Sequence, residues 1–158
     1  MPQNDHILPF WKGKFSQWTI APMKIGGITY NCAEQWMMAS KARHFGDLKS
    51  LDLIMKEQDP AKQQKLGRGV TPYDEDEWNM VAKAYVFIGN SAKFSQHPDL
   101  KQKLLDTGDK ILVEASPFDK KWGVGLDKSD DRIWDKSQWQ GANWLGEVLM
   151  AVRDLLDK

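Results

Sequence analysis

Glu34 and Lys41 stand seven residues apart in a stretch without breakers, 33–45, that reads as a helix ended by Gly46. At roughly 100° per residue, seven steps bring the two side chains to nearly the same face, two turns apart. A flexible lysine can lean back toward the carboxylate, which places an amine and an acid around one space. Such a pair is raw material for nucleophilic and electrostatic catalysis. Spacing alone, however, favours a solvated helix face. Two other clusters join the candidates. Gly67-Arg68-Gly69 sets a guanidinium between two flexible residues just after a short helix, an arrangement suited to a bidentate grip on phosphate. Glu114-Ala115-Ser116-Pro117-Phe118-Asp119 leads from a strand end into a loop that reaches Trp122-Gly123. It offers two carboxylates, an aromatic face and glycines that permit close approach.

Other chemistries are excluded by what the sequence lacks. His6, His44 and His97 are too dispersed for a metal motif, and Cys32 has no second cysteine to help it. There is no nucleophile elbow and no Walker loop, and Gly123-Val124-Gly125 is not continued into a dinucleotide fingerprint. Cys32 reads as a small buried hydrophobe. Eight tryptophans in 158 residues exceed what a core of this size requires. Several stand among Gly, Asn, Asp and Lys, where aromatic faces can stack a base or a sugar.

The elements that must hold these residues are mostly helical. Residues 18–25 and 28–30 form a short hairpin turning at Gly26-Gly27. After the helix at 33–45, Asp47 caps a second helix to 56, with Leu48, Leu51 and Met55 as its apolar stripe. Asp59-Pro60 starts a third, closed by Gly67. The acidic run 74–77 opens a longer helix with Trp78, Val81, Ala82, Tyr85 and Ala92 on its apolar face, weakened near its end by Gly89. A short helix holds Leu100, Leu104 and Leu105, and 111–115 is the clearest strand. Residues 116–141 have no sustained period and read as a long functional loop, ordered by Trp122, Trp134 and Trp139. A last helix over 143–156 carries Leu145, Val148, Leu149, Val152 and Leu156. The expected fold is α+β, a mainly helical single domain with a small sheet or hairpin. Residues 1–9 are expected to be a tail and 10–158 one catalytic domain.

Composition agrees with a globular chain: 41% hydrophobic and 28% charged residues. Twenty-two basic residues balance twenty-two acidic ones, so no global charge draws the chain to duplex nucleic acid or an anionic membrane. A lone cysteine suits a reducing compartment, and no secretion signal or membrane-length apolar run is visible, so the expected location is cytoplasmic.

Taken together, the residues resemble the NADAR domain family, also called YbiA-like, over about 10–156. The likeness rests on Phe15-Ser16-x-Trp18, Gly27-x-Thr29-Tyr30-x-x-x-Glu34-Gln35, Lys41-Ala42, Gly67-Arg68, Trp78 and Lys93-Phe94. It continues through Thr107-Gly108-Asp109, Leu112-Val113-Glu114-Ala115-Ser116-Pro117, Asp119-x-x-Trp122-Gly123-x-Gly125 and Gly141-x-Asn143-x-Leu145-Gly146. The resemblance implies an N-glycosidase that needs no metal or cofactor. It implies catalytic roles for Glu34, for Lys41 in covalent chemistry at a ribose, and for Asp119. Phe15, Trp18, Arg68, Trp78, Trp122, Gly123 and Asn143 are then expected to bind substrate. The implied substrates are ADP-ribosylated guanine, free or in nucleic acid, or a phosphoribosylamino-pyrimidine intermediate of riboflavin synthesis. A non-catalytic module that binds NAD or ADP-ribose is the remaining alternative. Gln17 stands where many members have Asn and Val124 where some have Asp, and both departures bear on substrate identity.

Overall fold

The computed structural model describes residues 3–158 and resolves them into two compact units, one comprising Gln17–His97 and the other the chain up to Ser16 with Pro98–Lys158.

In the Gln17–His97 unit, β2 (Met23–Ile25) and β3 (Ile28–Tyr30) form an antiparallel hairpin. Its turn takes positive φ at both Gly26 and Gly27, which side chains tolerate poorly. Four helices follow: α1 (Ala33–His44), α2 (Leu48–Lys56), α3 (Pro60–Arg68) and α4 (Glu75–Gln96). Asp47, Asp59 and Asp74 each cap the helix that follows by accepting a backbone N–H. α1 packs against α2, α3 and α4 and is buried continuously from Ala33 to Ser40, so it has no broad solvent face.

Three expectations change here. Leu48 is 71% exposed, and the side chain that α2 buries is Ile54, because α1 and α3 approach α2 from another side. Gly67 does not close α3 but lies within it, packed so tightly that an added methyl would overlap Met38. Arg68 is therefore the last helical residue, with Gly69 beyond it as the cap. Gly89 is no mere weak point in α4: a methyl there would overlap the Trp36 ring.

In the other unit, β1 (Ile7–Phe10) pairs in parallel with β4 (Ile111–Glu114). Ordered structure thus begins inside the stretch expected as a tail; residues 1 and 2 lie outside the described residues. Helices α5 (Pro98–Leu105) and α6 (Trp144–Leu156) complete it. Leu145, Val148, Leu149 and Val152 are buried as their spacing requires. The segment 116–141 is irregular apart from two short 3-10 turns. Ile133 belongs to the core with Ile7, Val113, Ala115, Val124 and Leu126, and Trp134 and Trp139 pack against it. Among the described residues no helix is long and apolar enough to cross a membrane.

The chain therefore folds as α+β, with six helices and two small sheets among the described residues.

Candidate active site

The first turn of α1 is built around a buried acid. Glu34 is 5% exposed, and its backbone N–H donates to the Gln17 carbonyl at 2.9 Å. The solvated face suggested by spacing is absent at this end of the helix. Gln17 also accepts from Asn90 Nδ2 at 2.8 Å through its side chain, which ties the turn preceding the hairpin to α4. Beside Glu34, the neighbouring Gln35 amide donates to the carbonyls of Ile54 and Glu57, fixing the end of α2. Cys32 is fully buried. Burial, the largest influence, pushes its thiol up to about 11, so it is a protonated, inert group at neutral pH.

Two turns along α1, Lys41 is half-buried, with its ammonium 4.4 Å from the centre of the Tyr73 ring. That ring belongs to an aromatic cluster. Tyr73 meets Phe45 edge-on at 5.2 Å, Phe45 meets His44 at 4.9 Å, and Trp78 stacks on Tyr85 at 5.7 Å. His44 bridges the Tyr85 hydroxyl at 3.2 Å and the Glu77 carboxylate at 3.0 Å. Lys41 and Trp78 thus share one aromatic wall. Trp78, 3% exposed, supplies its body and offers no bare face. Arg68 is exposed at the C-terminal end of α3, and Trp18 is 44% exposed.

The remaining expected residues lie in the other unit. Asp119 Oδ1 accepts the backbone N–H groups of Lys121 at 2.9 Å and Trp122 at 2.8 Å, which shapes the loop. Trp122 is half-buried and meets Trp144 edge-on at 5.5 Å. Gly123 is buried where a side chain would press on the carbonyls of Asp119 and Glu114. Asn143 spends its amide on β4: Oδ1 accepts from Glu114 N–H at 3.0 Å and Nδ2 donates to Leu112 C=O at 2.9 Å. Phe15, 5% exposed, packs edge-on against Phe10. The N–H groups of Asn143, Trp144 and Leu145 bond the carbonyls of Gly123, Lys121 and Trp122, so the start of α6 is satisfied by the loop. Phe15, Gly123 and Asn143 hold the architecture here, and of this group Trp122 and Asp119 retain the more accessible side chains.

The model of one family, described as the NADAR domain, matches residues 7–157. The chain belongs to the NADAR domain family. It is 42% identical over 131 residues to Protein irg-1 of Caenorhabditis elegans, covering 82% of this chain but only 62% of that protein. Over 145 residues it is 42% identical to N-glycosidase R617 of Acanthamoeba polyphaga mimivirus, covering 89% of this chain and 85% of that one. The solution structure of Escherichia coli YbiA superposes with a TM-score of 0.79 at 29% identity, covering 99% of this chain and 88% of YbiA. The YbiA sequence of that organism is named an N-glycosidase. By this kinship the NADAR chain is of the N-glycosidase class of hydrolases. Among its described residues no group of three or more His, Cys, Asp or Glu is placed to hold a metal ion.

Two NADAR residues near Glu34 were not singled out for a role by sequence reasoning: Asn90 and Lys93, both 0% exposed on α4. The signal was available. Trp78, Ala82, Val86, Asn90 and Lys93 fall at helical spacing, so an amide and an ammonium occupy positions where the stripe calls for apolar side chains.

Proposed function

We propose that this NADAR chain is an N-glycosidase that removes ADP-ribose from guanine, with Glu34 and Lys41 as its working pair. The observation that carries the reading is the withdrawal of Glu34 from solvent on the helix that also sets Lys41 against an aromatic wall. Cleavage of a sugar–nitrogen bond builds positive charge at the anomeric carbon. A carboxylate in a dry site stabilises that charge far better than one in water. The Lys41 amine, once neutral, forms a bond to the anomeric carbon as the base departs with the electron pair of the C–N bond and takes up a proton. Opening of the ribose ring gives an imine; water adds to it, and ADP-ribose and the free amine are restored. Arg68 grips the diphosphate, and Trp18 stacks a ring of the substrate. In the other unit, the family resemblance gives Asp119 the part of a second acid and Trp122 that of a ring-stacking face. The lone buried thiol fits a reducing, cytoplasmic setting.

Incubation with ADP-ribosylated guanosine, alone and in a single strand, and separately with the phosphoribosylamino-pyrimidine of riboflavin synthesis tests the substrate. Release of guanine and ADP-ribose is the expected result. Sugar release from the pyrimidine alone reassigns the substrate. Binding of ADP-ribose with no bond broken in either makes the chain a binding module.

A further inference from the structure

In the Gln17–His97 unit the only fully buried charged side chains among the described residues are Glu34, 5% exposed, and Lys93, 0% exposed. They are opposite in sign and sit on two helices, α1 and α4, that pack together. Both lie within electrostatic reach of the Cys32 thiol, where Glu34 adds to the larger upward push of burial and Lys93 counters it. Gln17 belongs to the same patch, since its carbonyl holds the Glu34 N–H and its side chain holds Asn90, one turn before Lys93. Asn90 Oδ1 is buried without a hydrogen-bond partner among the described residues, a further polar atom where a core would be apolar.

The other elements packed on α1 present uncharged groups to it: Ile54 from α2, Gln63 from α3 and Tyr30 from β3. The Lys, Arg and Asp side chains of α2 and α3 are exposed. On α1 itself Lys41 lies two turns away, and the His44–Glu77 contact closes its far end. A buried carboxylate and a buried ammonium each carry a heavy desolvation penalty, which only mutual pairing with good hydrogen bonds offsets.

We propose that Lys93 is a positioning residue for the reaction: its ammonium is the counter-charge that keeps Glu34 ionised in a dry site and fixes the direction of the carboxylate. The proposal rests on Glu34 being the acid that faces the anomeric carbon. Lys93 needs no contact with substrate. It acts through Glu34.

The test is Lys93→Met, which keeps length and apolar bulk and removes the charge. The acid limb of the kcat/KM profile should move up by about 1–3 units, the scale of one lost opposite charge. Turnover at neutral pH should fall with KM little changed, and Lys93→Arg should restore part of it. In denaturant unfolding, Glu34→Gln and Lys93→Met should be strongly non-additive, the double variant losing less than the sum of the singles. Should Lys93→Met fail to fold, the double variant, with both charges gone, is expected to fold; a double variant no better than the single overturns the pairing. An acid limb that stays in place, or stability effects that add, overturns it as well. The unfolding cycle needs no substrate. A parent protein that releases no base therefore ends the glycosidase reading and leaves the pair to be judged on its own.

Discussion

Glu34 and Asp119 are both carboxylates in family motifs, yet their surroundings differ. Asp119 is half-buried in a loop, and one oxygen accepts two backbone N–H groups, those of Lys121 and Trp122. Glu34 sits in the first turn of a helix, 5% exposed, with a buried lysine on the neighbouring helix. The first has an architectural task that accounts for its presence. For the second, replacing it together with Lys93 by hydrophobes would spare the fold two desolvation penalties. Asn143 and Gly123 side with Asp119, whereas Asn90 and Lys93 side with Glu34. A polar group that holds backbone has a structural task whatever chemistry it adds, and one buried at a cost to stability points to function.

The sharpest way to break this contrast is Glu34→Gln. It should lower turnover by about 100- to 1,000-fold, the scale of a lost electrostatic stabiliser, and also lower the unfolding midpoint, because the Lys93 ammonium is left buried without its counter-charge. Near-normal turnover in that variant removes Glu34 from the mechanism. Next in size is Lys41. Borohydride added during turnover should trap the ribosyl moiety, and peptide mapping should place the added mass on Lys41. Lys41→Arg keeps the charge but cannot form the imine, so it should abolish the adduct and most of the turnover. Retained turnover with no adduct in the parent instead assigns the attack to water.

Asp119 sharpens the comparison from the other side. Asp119→Asn keeps an oxygen for the two N–H groups and should leave the melting temperature within a few degrees of the parent. Asp119→Ala strands both and should cost about 1–2 kcal/mol. If Asn abolishes turnover while stability holds, the carboxylate is chemical as well as architectural. The smallest effect belongs to Cys32. Its thiol is raised from the usual 9.0 to about 11, so between those values the unfolded chain ionises while the folded chain keeps its proton. Stability should therefore fall as pH rises through that window, and less so in Cys32→Ala. Equal pH dependence in the two proteins would show that the thiol contributes nothing.

Local signals were the legible ones. The aspartates at 47, 59 and 74 cap their helices, Gly26-Gly27 turns the hairpin, and the last helix buries its stripe as spaced. Partner-dependent features were not. β1 is four residues long and pairs with a strand a hundred positions away, a contact no local period reports. The stripe on α2 depended on where α1 and α3 stand, so Leu48 and Ile54 exchanged roles. α1 hid its most telling residue, because a helix buried along its length has no amphipathic pattern against which an inward acid stands out. Lys93 was readable as an intruder on an apolar stripe, but its meaning required knowing that Glu34 is buried too.

The glycines at 67 and 89 carry a practical consequence for anyone re-engineering this chain. Glycine inside a helix is the first position a stabilisation scheme replaces with alanine, for a gain of up to about 1 kcal/mol. Here the sign reverses. Each hydrogen that would become a methyl already faces a side chain of α1, Met38 at one position and Trp36 at the other. Met38 and Trp36 lie between Glu34 and Lys41 in the chain. A helix improved in isolation would push on the very turns that carry the acid and the amine, so the damage would reach turnover as well as melting temperature.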